Sequence, residues 1–149
     1  MGSRRRARIL ALQTLYAIEF GEHDLDEALK HMRVRANQPA SNEADLSELV
    51  HGNDDVQGFA STLVRGVMSH LEDIDDLVGQ CSTNWKMGRM ALIDRNILRM
   101  AIFELQHVED VPPRVTLNQA VEIAKQYGTE DSGAFINGIL DRIASLATG

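Results

Sequence analysis

Apolar side chains recur along this chain at the spacing of amphipathic helices. In the clearest segment, from Val56 to Leu71, they fall at i, i+3, i+4 and i+7, which is typical of a helix with one buried face. No segment alternates apolar and polar residues as a half-buried strand does. The same spacing predicts further helices over residues 25–32, 74–81, 92–105, 116–127 and 131–146.

The first helix is predicted to run from Ser3, as its N-cap, to Gly21, because no helix-breaking residue lies between them. Its second half carries apolar residues on every side, a distribution that is normal for a buried helix. Its start carries four arginines within residues 4–8. We therefore expect the arginines on one or two exposed turns that lead into a buried helix.

Capping residues and prolines mark the boundaries of other helices. Asp24 and Thr116 are each followed three residues later by Glu or Gln, so each resembles a capping box that opens a helix. Pro112 and Pro113 are predicted to terminate the long helix before them. Gly128 stands at the position expected after the end of the next helix.

Two other segments depart from the helical pattern. Residues 36–54 are rich in Asn, Ser, Asp and Glu and are predicted to form a long polar loop. Asn137 and Gly138 interrupt the last helix with residues of low helix propensity, which indicates close approach of another helix.

Composition agrees with an all-helical chain. Its 149 residues suit one domain or two small helical halves sharing a core, and the 5% aromatic content with three prolines disfavours a sandwich or barrel. Cys81 is the single cysteine, so no intrachain disulfide can form. No signal-peptide pattern occurs, and no apolar run approaches the roughly 20 residues of a membrane span. We expect an all-α protein of about seven helices, cytoplasmic and without a membrane segment.

The net charge of −7 is distributed unevenly. Residues 36–76 hold one basic and nine acidic side chains, whereas residues 1–35 hold seven basic and five acidic ones. An acidic body argues against indiscriminate nucleic-acid binding, but the arginines near the start can still contact a few phosphates. The charge distribution therefore favours one selective contact.

No catalytic or metal-binding motif is recognisable. The five histidines form no i, i+3 or i, i+4 pair, and one cysteine cannot build a zinc cluster. Glycine-rich nucleotide loops and the G-x-S-x-G motif are absent from the sequence. The acidic residues within 72–76 are typical of a solvated helix start. We expect no enzymatic activity, metal or cofactor.

Residue types alone leave several roles open. The arginines within residues 4–8 suit either phosphate contact or a solvated tail. Arg99, one turn after a second arginine, suits a salt bridge slightly better than nucleic-acid contact. Phe135 suits core packing better than base stacking, and Asp131 with Ser132 suits a helix cap.

Three segments nevertheless resemble a known family: RRRARILALQTLYAIEF, NW..GRMALIDRNILRMAIFEL and DVPPRVTLNQAVEIAKQYGTEDSGAFINGILD. They resemble the NusB family of bacterial transcription antitermination factors over about residues 4–20 and 56–147. The resemblance implies one NusB-like domain built from two helical bundles, at residues 1–76 and 77–149. It also implies RNA binding and antitermination during ribosomal RNA transcription.

The resemblance further implies roles for single residues. Two departures from the family pattern are Gly133–Ala134, where many members carry a basic residue, and residues 32–54, which match no family segment. RNA contact is implied for Arg4, Arg5, Arg6, Arg8, Arg99, Asp131 and Phe135, and contact with the ribosomal protein NusE is implied for Tyr16 and Asp94.

The implied partners are single-stranded boxA RNA, NusE and the transcription elongation complex. Two alternatives stay open: a helical protein adaptor without RNA specificity, and a stand-alone relative of the NusB-like domain of ribosomal RNA methyltransferases. A boxA preference of the isolated chain would separate the first alternative from the family role. The sequence leaves the oligomeric state open between a monomer and a homodimer.

Overall fold

A computed structural model describes residues 3–21, 23–36, 53–82 and 90–148. Over these ranges the chain forms helices and no strand, which confirms the predicted all-α class. The described helices are α1 (Ser3–Phe20), α2 (Leu25–Ala36), α3 (Asn53–Ser69), α4 (Leu71–Cys81), α5 (Leu92–His107), α6 (Pro113–Tyr127) and α7 (Ser132–Thr148). In this part of the chain, no helix has both the length and the apolar character needed to cross a membrane.

The chain forms two compact units, Met1–Arg65 and Gly66–Gly149, and the boundary falls inside α3. In the first unit α1 packs on α2, and both helices bury apolar side chains. In the second unit α5, α6 and α7 pack on one another, while α4 packs on α5 and α7. Most of the predicted polar loop, residues 37–52, lies outside the described residues, as do residues 83–89.

The start of α1 is less exposed than the sequence indicated. Arg4 is exposed and Arg5 and Arg6 are half-buried, but Arg8 is only 4% exposed. The expectation of exposed arginines is therefore wrong for Arg8, because this side chain falls on the same face as the buried residues that follow it. The remainder of α1 is buried as predicted at Leu10, Ala11, Leu12 and Leu15.

One of the two predicted capping boxes is confirmed as an N-cap. The carboxylate of Asp24 accepts a hydrogen bond from the backbone N–H of Glu27 at 2.9 Å, at the start of α2. The prediction at Thr116 is wrong, since α6 begins three residues earlier at Pro113. Thr116 is buried instead, and its hydroxyl donates to Oε1 of Glu104 on α5 at 3.5 Å.

The prolines were predicted to terminate α5, but they open α6. Helix α5 ends at His107, and the N–H of Val108 still bonds to the carbonyl of Glu104 at 3.0 Å. Pro113 occupies the first turn of α6, where its missing N–H has no helical partner to lose. The two prolines therefore mark the start of α6 and not the end of α5.

Gly66 and Gly128 permit close approach of a neighbouring side chain, whereas Gly138 does not. A Cβ added to Gly138 would meet no neighbouring element within 4 Å, so the predicted close contact there is wrong. A Cβ on Gly66 would overlap the ring of Phe103, which is buried on α5. Gly128 has an extended backbone and not a left-handed one (φ −93°, ψ −161°). A Cβ added to Gly128 would lie 2.7 Å from the Cβ of Ser132, so the missing side chain makes room for that residue.

Candidate nucleic-acid interface

The basic start of α1 is held by an aromatic ring of α3. The guanidinium carbon of Arg4 lies 4.6 Å from the ring centroid of Phe59, and that of Arg8 lies 5.4 Å from it. Both distances are within the range of cation–π attraction. The ring therefore restrains two arginines, and a phosphate that binds here finds side chains already partly ordered.

The four arginines differ in how far their side chains are exposed, and therefore in the role that each can have. Arg4 is exposed, and Arg5 and Arg6 are half-buried, so these three have surface that an RNA strand can reach. Arg8, 4% exposed, is placed to support this segment through Phe59. The sequence did not single out Phe59, because a phenylalanine at its position in an amphipathic pattern is indistinguishable from a core residue.

In the second unit a cavity of about 270 Å³ lies beside the first turns of α5 and α7. Phe135, half-buried, stands in the first turn of α7, and the exposed Asp131 precedes that helix. The structure thus brings together Asp131 and Phe135, two of the residues for which the resemblance implied RNA contact. The lining consists of Met90, Ala91, Asp94, Thr129, Asp131, Ser132 and Phe135.

The turn between α6 and α7 holds the rim of this cavity in place. The hydroxyl oxygen of Ser132 accepts a hydrogen bond from the N–H of Thr129 at 2.8 Å, and the two hydroxyls lie 3.1 Å apart. Ser132 is 1% exposed, and Gly128 leaves the space that it occupies. The hydroxyl of Ser132 therefore fixes the turn that precedes α7, and the helix cap expected at Asp131 and Ser132 stays a prediction.

Asp94 lines the same cavity from the first turn of α5. Its side chain is 8% exposed, and its buried Oδ1 finds no hydrogen-bond partner among the described residues. An exposed and a buried carboxylate, Asp131 and Asp94, therefore belong to this cavity, and none of the described residues that line it is basic. Carboxylates repel phosphate and accept hydrogen bonds, so these two side chains favour a group that donates hydrogen bonds over a phosphate.

Arg99 is engaged in an ion pair. Its Nε and Nη2 donate to the two carboxylate oxygens of Asp75 at 2.8 Å each, and its Nη1 donates to Oδ1 of Asn96 at 3.1 Å. This bidentate geometry is the salt bridge that the sequence left open as an alternative. Asp75, expected in a solvated acidic run, instead joins α4 to α5. RNA contact by Arg99 stays a prediction.

Tyr16 lies in the first unit, whereas Asp94 lies in the second, so the two residues implied to face NusE are described separately. The Tyr16 ring stacks on that of Phe20, with centroids 5.9 Å apart and planes 8° from parallel. Phe20 is 61% exposed. The pair forms an aromatic surface at the end of α1 that is suited to a protein contact.

Histidines meet in three dimensions where the sequence shows no pairing. The ring of His70 lies 4.4 Å from that of His107, and Phe103 lies 5.0 Å from His107. His70 lies between α3 and α4, whereas Phe103 and His107 lie on α5, so no sequence spacing could reveal the contact between the two histidines. Within the described ranges, no three His, Cys, Asp or Glu side chains are arranged to hold a metal ion.

Comparison with known proteins identifies close relatives. The profile of the NusB family matches residues 5–145. A transcription antitermination protein NusB of Geobacter sp. (strain M21) is 45% identical over 148 residues, which cover 99% of this chain and 98% of the relative.

Solved structures agree with the sequence match. A structure of T. maritima NusB is 38% identical, has a TM-score of 0.76, and is matched over 95% of this chain and 90% of that one. A structure of NusB and NusE in complex with double-stranded RNA has a TM-score of 0.78 over 97% of each chain. Because it is 24% identical, its likeness is evidence for the fold alone.

Proposed function

Because the chain belongs to the NusB family, we propose that it is a transcription antitermination factor that acts by binding RNA. The observation that carries the proposal is the cavity at the start of α7, where the aromatic ring of Phe135 and the carboxylate of Asp131 stand together. Specific RNA recognition targets unpaired bases, which stack on aromatic rings and present polar edges. The cavity offers both kinds of group.

The basic start of α1 supplies the second part of the proposal. We assign phosphate contact to Arg4, Arg5 and Arg6, whose side chains are exposed or half-buried. Arg8, buried against Phe59, supports these contacts by ordering the segment. The phosphate contacts contribute a salt-dependent part of the affinity, while base contact provides selectivity.

NusE is the protein partner that we propose. The stacked pair Tyr16 and Phe20 offers an aromatic surface, and the net charge of −7 favours a basic ribosomal protein. Contact between Asp94 and NusE stays a prediction, since Asp94 lies in the cavity with little exposed surface. We propose the elongation complex as the site of action and the cytoplasm as the compartment, and a homodimer stays an open alternative.

The proposed role is assembly without a covalent step, in keeping with the curated relatives, which are named as antitermination proteins. The division into bundles at residues 1–76 and 77–149 stays a prediction. The competing role is that of a helical adaptor that binds protein alone, and the exposed Phe20 and Leu146 are the features that favour it.

A titration of fluorescently labelled single-stranded boxA RNA, with and without NusE, tests the proposed function. We expect the chain alone to bind boxA RNA more tightly than a strand of scrambled sequence, and NusE to increase the affinity. A double-stranded RNA of the same sequence is the control for base access. Equal affinity for boxA and scrambled strands would favour the adaptor role instead.

A further inference from the structure

A second cavity, of about 300 Å³, lies in the second unit beside the last turns of α5 and α7. The described residues that line it come from four helices: Leu77 of α4, Leu105 and Gln106 of α5, Pro113 of α6, and Ile143, Ala144 and Leu146 of α7. All of these side chains except that of Gln106 are apolar, and Leu146 is 63% exposed. We call this surface the α4–α7 groove.

The α4–α7 groove is separate from the cavity at the start of α7. Along α5, Asp94 of that cavity and Leu105 of the groove are eleven residues apart, and the same spacing along α7 separates Phe135 from Leu146. At a rise of about 1.5 Å per residue, this spacing corresponds to roughly 16 Å along each helix axis. Apolar surface of this kind on the outside of a protein is typical of an interaction site. The groove therefore offers a contact that the proposed RNA site does not explain.

The charged side chains beside the groove are mainly acidic. On α4, Asp73 and Asp76 are exposed, and Asp73 lies one turn before Leu77 on the same face of the helix. The connection from α5 to α6 holds two more exposed acidic residues, Glu109 and Asp110. This connection joins two helices whose facing ends line the groove. The groove therefore has an acidic border on two of its sides.

Two arginines next to groove residues offset this charge only in part. Arg114 follows Pro113, and Arg142 precedes Ile143. Nη1 of Arg142 donates a hydrogen bond to the carbonyl of Cys81 at 3.0 Å, which joins α7 to the end of α4. In addition, α5 and α7 both end at the groove, where the last carbonyls of a helix carry partial negative charge, whereas only α6 begins there. The described border therefore favours a cationic partner.

Charge also distinguishes among the molecules that could cover the groove. The acidic border repels the phosphates of RNA. A second copy of the chain, docked by two-fold symmetry, would place the same acidic border against itself. The chain's own residues 37–52 include three acidic residues and no Lys or Arg. A protein segment with basic residues beside an apolar face matches both the border and the lining of the groove.

We propose that the α4–α7 groove binds a basic amphipathic segment of a partner protein. The apolar side chains of that segment contact the leucines of the groove, and its basic side chains lie beside the exposed carboxylates of α4. This contact adds to the proposed RNA-binding function and does not depend on it. It is also separate from the proposed NusE contact at Tyr16 and Phe20, which lie in the first unit.

Two labelled synthetic peptides test the proposal on the full chain by fluorescence anisotropy. The first is a helical peptide with leucines at i, i+3, i+4 and i+7 and with lysine and alanine elsewhere, and the second replaces each lysine with glutamate. We expect the lysine peptide to bind about tenfold more tightly than the glutamate peptide, because only its charge matches the border. This preference should decrease as salt is added, since salt screens exposed charges. The comparison needs no variant, so it is independent of folding.

Leu146→Arg should weaken binding of the lysine peptide by about tenfold, because it removes an apolar contact and adds a like charge at an exposed position of the groove. Val34→Arg is the matched control, since Val34 is 60% exposed on α2, in the other unit, and gains the same charge. It should retain the affinity. The double variant Asp73→Asn with Asp76→Asn should reduce the salt dependence of binding. Thermal melting shows whether each variant is folded.

Four results would overturn the proposal. The lysine peptide fails to bind at low salt, or Leu146→Arg and Val34→Arg weaken its binding equally, so that net charge alone sets the affinity. Analytical ultracentrifugation shows a dimer that Leu146→Arg converts to a monomer, which would assign the groove to a second copy. Leu146→Arg, while folded, loses affinity for NusE or for boxA RNA, which would assign the groove to those contacts. If boxA RNA still binds the unaltered chain, the RNA-binding function stands whatever the peptides show.

Discussion

Truncation of Phe135 to alanine separates a base-stacking role from a packing role. The ring is half-buried at the cavity, so its removal should cost less folding free energy than the roughly 3 to 5 kcal/mol of a fully buried phenylalanine. About half of that cost, near 2 kcal/mol, follows from its half-buried position. A domain with the usual stability of about 5 to 15 kcal/mol remains folded after such a loss.

The effect on RNA binding should be of similar size but selective. Base stacking on an aromatic ring contributes about 1 to 3 kcal/mol, which corresponds to an affinity loss of roughly 5- to 150-fold. The loss should be larger for boxA RNA than for a scrambled strand, because phosphate contacts by the arginines of α1 are unchanged. Anisotropy titration of both strands and urea denaturation, on the same preparation, measure the two quantities.

Leu146→Ala is the control for a generic loss of apolar surface from α7, since Leu146 is 63% exposed on that helix. It should change neither the stability nor the boxA preference appreciably. The reasoning fails if Phe135→Ala stays folded and binds boxA RNA as the unaltered protein does. It fails equally if RNA binding declines only where the variant has unfolded.

Two further perturbations test other parts of the structure. The Arg4/Arg5/Arg6→Ala variant should weaken binding to every RNA and lower the slope of log affinity against log salt by about 0.7 for each lost phosphate contact, with little change in thermal stability; an unchanged slope would assign the arginines to a solvated segment. Gly66→Ala should destabilise the protein by about 1 to 3 kcal/mol in urea denaturation, because its Cβ overlaps a buried phenylalanine ring. Gly58→Ala, on the same helix but with open space around it, should stabilise it by up to about 1 kcal/mol, and equal effects at the two glycines would refute the packing account.

Helices could be predicted from the sequence wherever one face is apolar. The period from Val56 onward locates α3 because burial of one stripe is the main source of helix stability. The boundary between α5 and α6 was predicted less well. Proline is compatible with both the end of one helix and the first turn of the next, so its position in the sequence does not decide between them.

The two parts of the site also differed in how far the sequence could predict them. Asp131 and Phe135 are four residues apart and flank one helix start, so their proximity follows from local geometry. Asp94 belongs to a different helix, and its presence in the cavity depends on the packing of α5 against α7. The contact of Phe59 with Arg4 and Arg8 likewise joins α3 to α1 and has no local signal.

The turn between α6 and α7 limits how this site can change during evolution. Surface loops usually accept inserted residues at small cost, because closing a longer loop adds little entropy. Here the bond from the Thr129 N–H to Ser132 and the close approach of Gly128 to Ser132 fix both the length and the path of the turn. One added residue would break this bond and shift Asp131 relative to Phe135. New RNA preferences should therefore arise by substitution of residues that line the cavity, while insertions and deletions are excluded from residues 128–132.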